Sequence, residues 1–447
     1  MEKGVFVVGA YDGWQIVNAL WDGARMLLEN PLLYLGTALM FAETYCTSRQ
    51  ERGFFGFRLT RAWRSVGLRW ASAFIAGLIA SAVSVALGLT LDVWGVGAVV
   101  VLSILLACIR LRLCASAYAI AILVALSRVL LVLPGPSGPL WLRRTWLHLA
   151  HQPVGSWLAA AALCLLLEAG LLLSGRYRSV APAFVQSKRG RAIGAWTSQL
   201  AFVVPVLWVA PGGHPLIHTP WPWPLLGGLG AAGATLAGIP LVLGQSGLYA
   251  ALTPQRAASI RAAYDAVCGV LLAADAWAVV HLGPTWAWAG VVIALLGQEA
   301  ATWHVHWREL LADPLYAPVP DGVKLLAVVP GSLADTMGLK PGEIITHINQ
   351  VPVQTSYDLH FALDQNPAYA KLQVYDARGE MRLVGKPVFS GERAKLGLIL
   401  APDVPGVPSY RRRRVGLFQT LYLKARMSGN SYENVFVDVD SAPPHQT

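Results

Sequence analysis

Two short stretches of this chain hold residue types that hydrolytic chemistry requires. Gly244-Gln245-Ser246-Gly247 sets a serine hydroxyl between glycines, with His281 as the nearest downstream base in an apolar setting. His304 and His306 form the second. A zinc hydrolase built on a helix needs HExxH, two histidines one turn apart plus a glutamate base. No such string occurs, and His304 and His306, two residues apart, face different sides of a helix. Ser246 falls at one end of an apolar segment and His281 at the far end of the next. That separation of most of a bilayer is well beyond the reach of a nucleophile and its base. Gly429-Asn430-Ser431 runs on into Tyr432 and Glu433 rather than into glycines, and neither a phosphate loop nor GxGxxG is present. Cys46, Cys108, Cys114, Cys164 and Cys268 lie in apolar segments without a CxxC pair, as small buried residues do. The expectation is no catalytic residue, no metal, no cofactor and no enzymatic activity.

Six ionisable residues lie in or beside apolar segments: Glu43, Arg128, Glu168, Asp265, Asp275 and Glu299. Such groups raise the question of an ion or proton path. Most fall within a turn or two of a segment end, and only Asp275 and Arg128 read as deep. Structural ion pairs and heads reaching for water are the expectation, with transport by Asp275 and Arg128 as the competing class.

The elements that carry these residues are apolar. Of 447 residues 55% are hydrophobic and 13% charged, with mean hydropathy +0.50, where soluble domains carry about 25% charged residues. Seventeen Trp and 43 Gly suit aromatic interfaces and close helix contacts. Spans of about 17–25 residues are expected at 31–47, 70–91, 94–109, 113–133, 154–173, 192–210, 223–245, 264–282 and 284–303. In 223–245, Gly230, Ala234 and Gly238 recur every four residues, the spacing of close helix packing, and Pro240 implies a kink. The loops alternate in charge. Loop 48–69 holds six Arg against Glu51, Arg110 and Arg112 follow, 174–191 holds Arg176, Arg178, Lys188, Arg189 and Arg191, and 246–263 holds Arg256 and Arg261. Loops 92–93, 211–222 and 283 are poor in charge, and Arg143 and Arg144 blur 134–153. By the positive-inside rule the C-terminal end is cytoplasmic. The start, MEKGVFVVGAYDG, lacks the basic region of a secretory signal, and residues 14–28 have an amphipathic look. The net charge of +10 belongs to loops and tail, which argues for membrane topology rather than nucleic-acid binding. From Tyr316 to Leu400 the chain is neutral, with eight cations and eight acids.

That neutral stretch is patterned as a soluble α+β module. In DGVKLLAVVPGSLADTMGLKPGEIITHINQ, a strand passes through Pro330-Gly331 into a short helix stopped by Gly338. Lys340-Pro341-Gly342 then turns into strand Ile344–Ile348, closed by Asn349-Gln350. Ser356 is the expected N-cap of a helix over 357–365, with Asp358 in its first turn, Leu359, Ala362 and Leu363 inward, and Tyr357 and Phe361 on a neighbouring face. A hairpin of 372–375 with 381–384 turns about Ala377-Arg378-Gly379, and Lys395-Leu396-Gly397-Leu398-Ile399-Leu400 closes the module.

This stretch resembles a bacterial PDZ domain, with Leu333 for Pro, Glu343 for Asp and Gln350 for Gly as departures. The resemblance implies a binding module that adds a peptide as a strand beside a helix. Its groove would be formed by Leu396, Gly397, Leu398 and Ile399 with Tyr357 and Phe361, and the strand's backbone amides would hold the peptide carboxylate. The whole order, many spans and then one PDZ module, is similar to the MinJ family of cell-division determinants. Asn30-Pro31-Leu32-Leu33-Tyr34, the basic stop Arg49 to Arg52, and Phe389-Ser390-Gly391-Glu392-Arg393 carry that likeness further. It implies a non-enzymatic adaptor that links a DivIVA-like polar protein to a MinD-like ATPase.

The expected organisation is a polytopic α-helical membrane bundle followed by a small α+β PDZ-like domain. Residues 1–30 form an N-terminal juxtamembrane segment, 31–303 the transmembrane part with eight or nine spans, 304–320 a linker, 321–401 the PDZ-like domain and 402–447 a basic tail. In the tail, Arg411–Arg414 beside Val415–Phe418 suggests attachment to membrane lipids by charge. Expected partners are cytoplasmic and membrane-associated proteins and lipids, with no nucleic acid and no small-molecule substrate. Competing classes are an accessory of membrane proteolysis or secretion, and a transporter regulated by its PDZ module.

Overall fold

Seven of the apolar segments are helices because long runs of Leu, Ala, Val and Ile satisfy their backbone within the segment. A computed structural model describes residues 10–56, 59, 62–109, 113, 115–175, 180–187, 191–212, 223–226, 234–366, 368–376, 378–388 and 396–402. Helices α1 (Ala10–Glu29), α2 (Pro31–Phe55), α3 (Ala62–Leu87), α4 (Val93–Ile109), α5 (Ser116–Val132), α6 (Leu140–Ala150) and α7 (Val154–Gly175) come first. A three-stranded antiparallel sheet follows: β1 (Val180–Gln186), β2 (Ala192–Pro211) and β3 (Ala234–Tyr249). Helices α8 (Pro254–His281) and α9 (Ala287–Leu311) complete this half. Trp63–Leu87, Val154–Gly175 and Pro254–His281 are long and apolar enough to cross a membrane. The most enclosed is α7: its small Ala159–Ala162 run is buried among α3, α5, α8 and β3. Helix α9 runs to Leu311, well into the stretch expected as linker.

Two expected spans are corrected. Residues 192–210 form β2, and 223–245 holds most of β3, the two paired in register from Trp196↔Tyr249 to Pro211↔Ala234. Hydropathy alone does not separate a buried strand from a buried helix, but the prolines do. Pro205 and Pro240 stand opposite each other across the ladder, where neither has an N–H to lose; mid-helix each would remove a bond and clash. Phe202, Val203, Val204, Val206, Trp208 and Val209 around them are β-branched or aromatic and buried. Beyond β1 the outer edge of β2 rests on α3. A Cβ at Gly77 would collide with the carbonyl oxygen of Pro205, and the Leu207 N–H donates to Ser81 Oγ at 2.9 Å. Gly238 does meet a close neighbour, as its small size implied, but as a strand residue beneath Gly23 and Leu27 of α1. Gly230 lies outside the described residues.

The hairpin leaves and returns at one end, so it replaces two crossings without changing the side on which α8 begins. Its far end lies by the end of α3, where Leu91 N–H donates to Val209 O at 2.9 Å and Trp223 Nε1 to Val85 O at 2.9 Å. Its open end lies by the ends of α2 and α9. Phe55 meets Phe184 edge-on at 5.2 Å, and Glu309 accepts the N–H groups of Ala250, Ala251 and Leu252 at 2.5, 3.1 and 3.0 Å. The exposed Arg49, Arg52, Arg64, Arg191, Arg256 and Arg308 belong to this end; Arg110, Arg112, Arg176, Arg178, Lys188 and Arg189 lie outside the described residues.

The C-terminal module comprises β4 (Val323–Val328), α10 (Leu333–Thr336), β5 (Ile344–Ile348), β6 (Val351–Pro352), α11 (Ser356–Gln365), β7 (Tyr369–Tyr375), β8 (Met381–Pro387) and β9 (Leu398–Leu400). Its antiparallel sheet has the order β8-β7-β5-β4-β9, with β6 paired to β5. The tail, with Arg411–Arg414, lies outside the described residues. Because Gly77 admits β2 with no room to spare, Gly77→Val is expected to destabilise the full chain by about 1–3 kcal/mol. Thermal melting in detergent checks this, and an unchanged melting temperature would count against the α3–β2 contact.

Candidate functional site

Turn chemistry builds the module. Gly331, Gly338 and Gly342 have φ of +78°, +71° and +95°, conformations that cost glycine little. Ser332 caps α10 by accepting from Asp335 N at 3.3 Å, and Gly331 N–H donates back to Asp335 at 2.8 Å. Glu343 is 5% exposed; it accepts Lys340 N–H at 2.9 Å and pairs with Arg382 at 2.6 Å, so the longer acid serves as the turn's anchor. Asn349 ties the β5–β6 turn to β7 through Tyr369 O at 3.0 Å and Lys371 N at 2.9 Å. The N-cap of α11 is Thr355, one residue before the expected Ser356. Thr355 and Asp358 form a reciprocal capping box, because Asp358 reaches the N–H of Thr355 at 2.9 Å only from the third helical position. The Thr355 hydroxyl, then the Gln354 and Thr355 amides, hold the Asp358 carboxyl below its ordinary value.

The segment expected as the peptide strand is β9, at one edge of the sheet. It pairs antiparallel with β4 alone, Val328↔Leu398 and Leu325↔Leu400. Coming last in the chain is therefore no obstacle: β9 fills the edge beside β4. Gly397 sits at φ +75°, where a Cβ would collide with Ser332, so only glycine fits. Lys395 lies outside the described residues. Leu359, Ala362 and Leu363 of α11 share one core with Leu396, and Leu398 and Leu400 pack against it. Tyr357 and Phe361 remain outside that core, 76% and 51% exposed. Ile399 departs from the expected set. It is buried on the opposite face, as alternation along a strand requires.

That opposite face is a second interface, which sequence reasoning missed. Ile399 and Ala401 cluster with Tyr316, Leu326 and Ala327, and Phe55, Leu59, Phe184 and Trp196 pack onto them. Gly194 N–H donates to Tyr316 O at 3.0 Å, and the Trp196 and Tyr316 rings meet at 6.2 Å. A Cβ at Gly194 would stand 2.7 Å from Tyr316 Cβ and 2.9 Å from Leu326 Cδ1. Burial pushes the Tyr316 phenol up. The module thus sits on the β1–β2 hairpin by the face behind its edge strand.

Of the six ionisable residues weighed above, Glu43, Asp265 and Glu299 meet polar partners. Glu43 meets Arg69 at 3.6 Å, and Arg69 also donates to Thr44. Asp265 is fully buried against Arg261 at 3.2 Å, and Gln298 bonds both, donating to Asp265 at 2.9 Å. Tyr118 donates to Glu299 at 3.0 Å. Glu168 is buried on α7. Asp275 is buried against Gly290 and Leu158, and among the described residues no ion pair joins it to Arg128. Ser246 lies on β3 three residues before its end, and His281 ends α8, a 28-residue helix about 42 Å long. The structure keeps the two apart. His304 bonds Tyr264 at 3.0 Å, and among the described residues no group of three His, Cys, Asp or Glu is placed to hold a metal ion.

Two stability predictions follow from this geometry. Gln350 holds φ +71° with a side chain, so Gln350→Gly should stabilise the chain by up to about 1 kcal/mol; a lower melting temperature would contradict it. Leu359→Ala should cost about 2–5 kcal/mol, whereas Phe361→Ala should stay within about 0.5 kcal/mol, as surface changes do. Equal losses in the two variants would show Phe361 to be a core residue.

Comparisons agree with the geometry. A PDZ domain model matches residues 325–372. The cell division topological determinant MinJ of Bacillus subtilis (strain 168) is 25% identical over 388 residues, covering 86% of this chain and 95% of its own length. The probable cell division topological determinants MinJ of Lacticaseibacillus paracasei and Lacticaseibacillus casei (strain BD-II) are each 37% identical over 99 residues, 22% of this chain and 25% of theirs. No solved structure matches. The chain carries a PDZ domain behind a helical region with membrane-length helices, and it is a homologue of the cell division topological determinant MinJ.

Proposed function

We propose that this protein is a membrane-anchored scaffold whose cytoplasmic PDZ domain binds protein partners in placing the division site. The observation that carries this is the edge strand β9 set in one core with α11, whose Tyr357 and Phe361 are left exposed. Strand addition to β9 would supply backbone hydrogen bonds, and the two aromatic side chains would supply apolar contact. Leu396, Gly397 and Leu398 then form the strand side of the groove, and Ile399 supports it from behind. The partners implied by the likeness to MinJ are a DivIVA-like polar protein and a MinD-like ATPase, bridged by this chain. The role is an adaptor's, without chemistry of its own.

Exposed Arg49, Arg52, Arg64, Arg191, Arg256 and Arg308 lie at the module's end against Arg143 and Arg144 at the other, an excess that supports a multi-pass protein of the plasma membrane with the module's side in the cytoplasm. Enrichment at septum and poles belongs to the same reading. A fluorescent protein fused after Thr447 should be bright, and alkaline phosphatase at the same point inactive. The reverse would refute cytoplasmic partners. In a two-hybrid assay with the cell's own DivIVA-like and MinD-like proteins, Phe361→Ala should lower the signal at unchanged protein level. A full signal from that variant would place the contact elsewhere.

A further inference from the structure

The outer face of α8 and α9 changes character along its length. Val267, Val270, Leu271, Val292 and Leu296 are exposed apolar residues in its middle. Toward the module's end Trp303 and Trp307 stack at 5.3 Å. Beside them on α9 stand His304 and Arg308, one turn apart and so on one stripe. The far end of the same two helices also exposes tryptophans, Trp277, Trp286 and Trp288, yet carries no Lys or Arg between Trp277 and Trp288. An apolar, then aromatic, then cationic order is the profile of a surface crossing from acyl chains to headgroups.

The polar groups there are held in a fixed chain. Arg308 Nε donates to His304 Nε2 at 3.4 Å, which assigns the ring proton to Nδ1. Nδ1 lies 3.0 Å from Tyr264 Oη and donates to it, which leaves the phenol proton for another acceptor. The Arg308 Nη donors are likewise left over from this chain. Arg256, two turns toward the start of α8, adds a second exposed charge. Among the described residues neither Arg256 nor Arg308 enters an ion pair. The neighbouring acid Glu309 is engaged by three backbone amides, and the next acid along the chain is the exposed Asp313.

We propose that this face seats the phosphate of an anionic glycerophospholipid, with Arg308 and the Tyr264 hydroxyl as donors, Arg256 as supporting charge and Trp303 and Trp307 against the glycerol region. The proposal rests on the membrane reading above but not on which side is cytoplasmic. Arginine donors and an oriented hydroxyl match a phosphate's acceptor oxygens. A zwitterionic lipid brings its own cation to the same spot and gains less.

The test uses the full chain purified in detergent, with phosphatidylglycerol and phosphatidylcholine added in equal amounts and retained lipid read by native mass spectrometry. The wild type should retain severalfold more phosphatidylglycerol. The double variant R256Q/R308Q should bring the two lipids to parity while melting in lipid-free detergent as the wild type does. Tyr264→Phe, a smaller change that keeps the fold, should lower the preference two- to threefold. R143Q/R144Q, at the other end of the bundle, should leave it intact. Equal retention by the wild type, or an undiminished preference in both R256Q/R308Q and Tyr264→Phe, overturns the proposal. Displacement of the lipid by soluble glycerol phosphate would show a general phosphate site and overturn the lipid assignment. A reversed reporter topology would refute the cytoplasmic orientation without touching these detergent results, so the two failures are distinguishable.

Discussion

Backbone N–H and C=O groups carried into apolar surroundings must be paired, since an orphan costs several kcal/mol there. In this chain that demand falls hardest on β2 and β3. A helix meets it within itself; a two-stranded ribbon has outer edges that do not. The structure meets it by laying helices along the hairpin. Leu207 N–H finds Ser81 Oγ on α3, Leu91 N–H finds Val209 O near the tip, and α1 crosses β3 where Gly238 admits Gly23 and Leu27. The two prolines, facing each other at Pro205↔Pro240, sit in the hairpin at no cost in ladder donors. Helices α1, α3 and α7 pack around this hairpin, so its placement organises the bundle.

The open end of the same hairpin carries the PDZ domain. Gly194 on β2 is where a side chain is forbidden by Tyr316 and Leu326, and Trp196 two residues on covers Tyr316. One strand therefore touches the bundle at Pro205 and the binding module at Gly194. Ile399 and Ala401, on and beside β9, lie in that contact, while Leu398 and Leu400 turn to the module's own core. A two-residue alternation thus divides one short strand between anchoring and the groove proposed above.

The legible parts of this fold were those specified locally. Gly331, Gly338, Gly342 and the Asn349-Gln350 turn fix backbone conformations that few residues tolerate, and the module's strands and helix follow with bounds that agree to within three residues. Thr355 and Ser356 both have the chemistry of a cap, and only the three-residue spacing to Asp358 decides for Thr355. The strands β2 and β3 look like spans because a hydropathy window weighs Val and Trp as it weighs Leu; Pro205, Pro240 and the β-branched run are the signal for strands. The docking face had no signal of its own. Phe55, Phe184, Trp196, Tyr316 and Ile399 are scattered over the chain, and each alone reads as an ordinary apolar residue. Arg261 reads as a loop charge by hydropathy, although it lies at i−4 to Asp265 on one helix.

The seating of the module changes what its connection to the bundle means. A free linker over 304–320 would let the module wander roughly 20–25 Å, from about 5–6 Å times the square root of its length. That freedom is absent here. Residues up to Leu311 continue α9, Leu315 N–H bonds Ala250 O at 2.9 Å, and Tyr316 is held by Gly194 and Trp196. A bound segment would then be held at a set distance and angle from the bundle's arginine-bearing end, rather than sampling a volume around it. For the scaffold proposed above this would trade reach for geometry: a partner already lying along the membrane would meet the proposed groove at fixed height, while one drawn from deeper solution would gain little from the attachment.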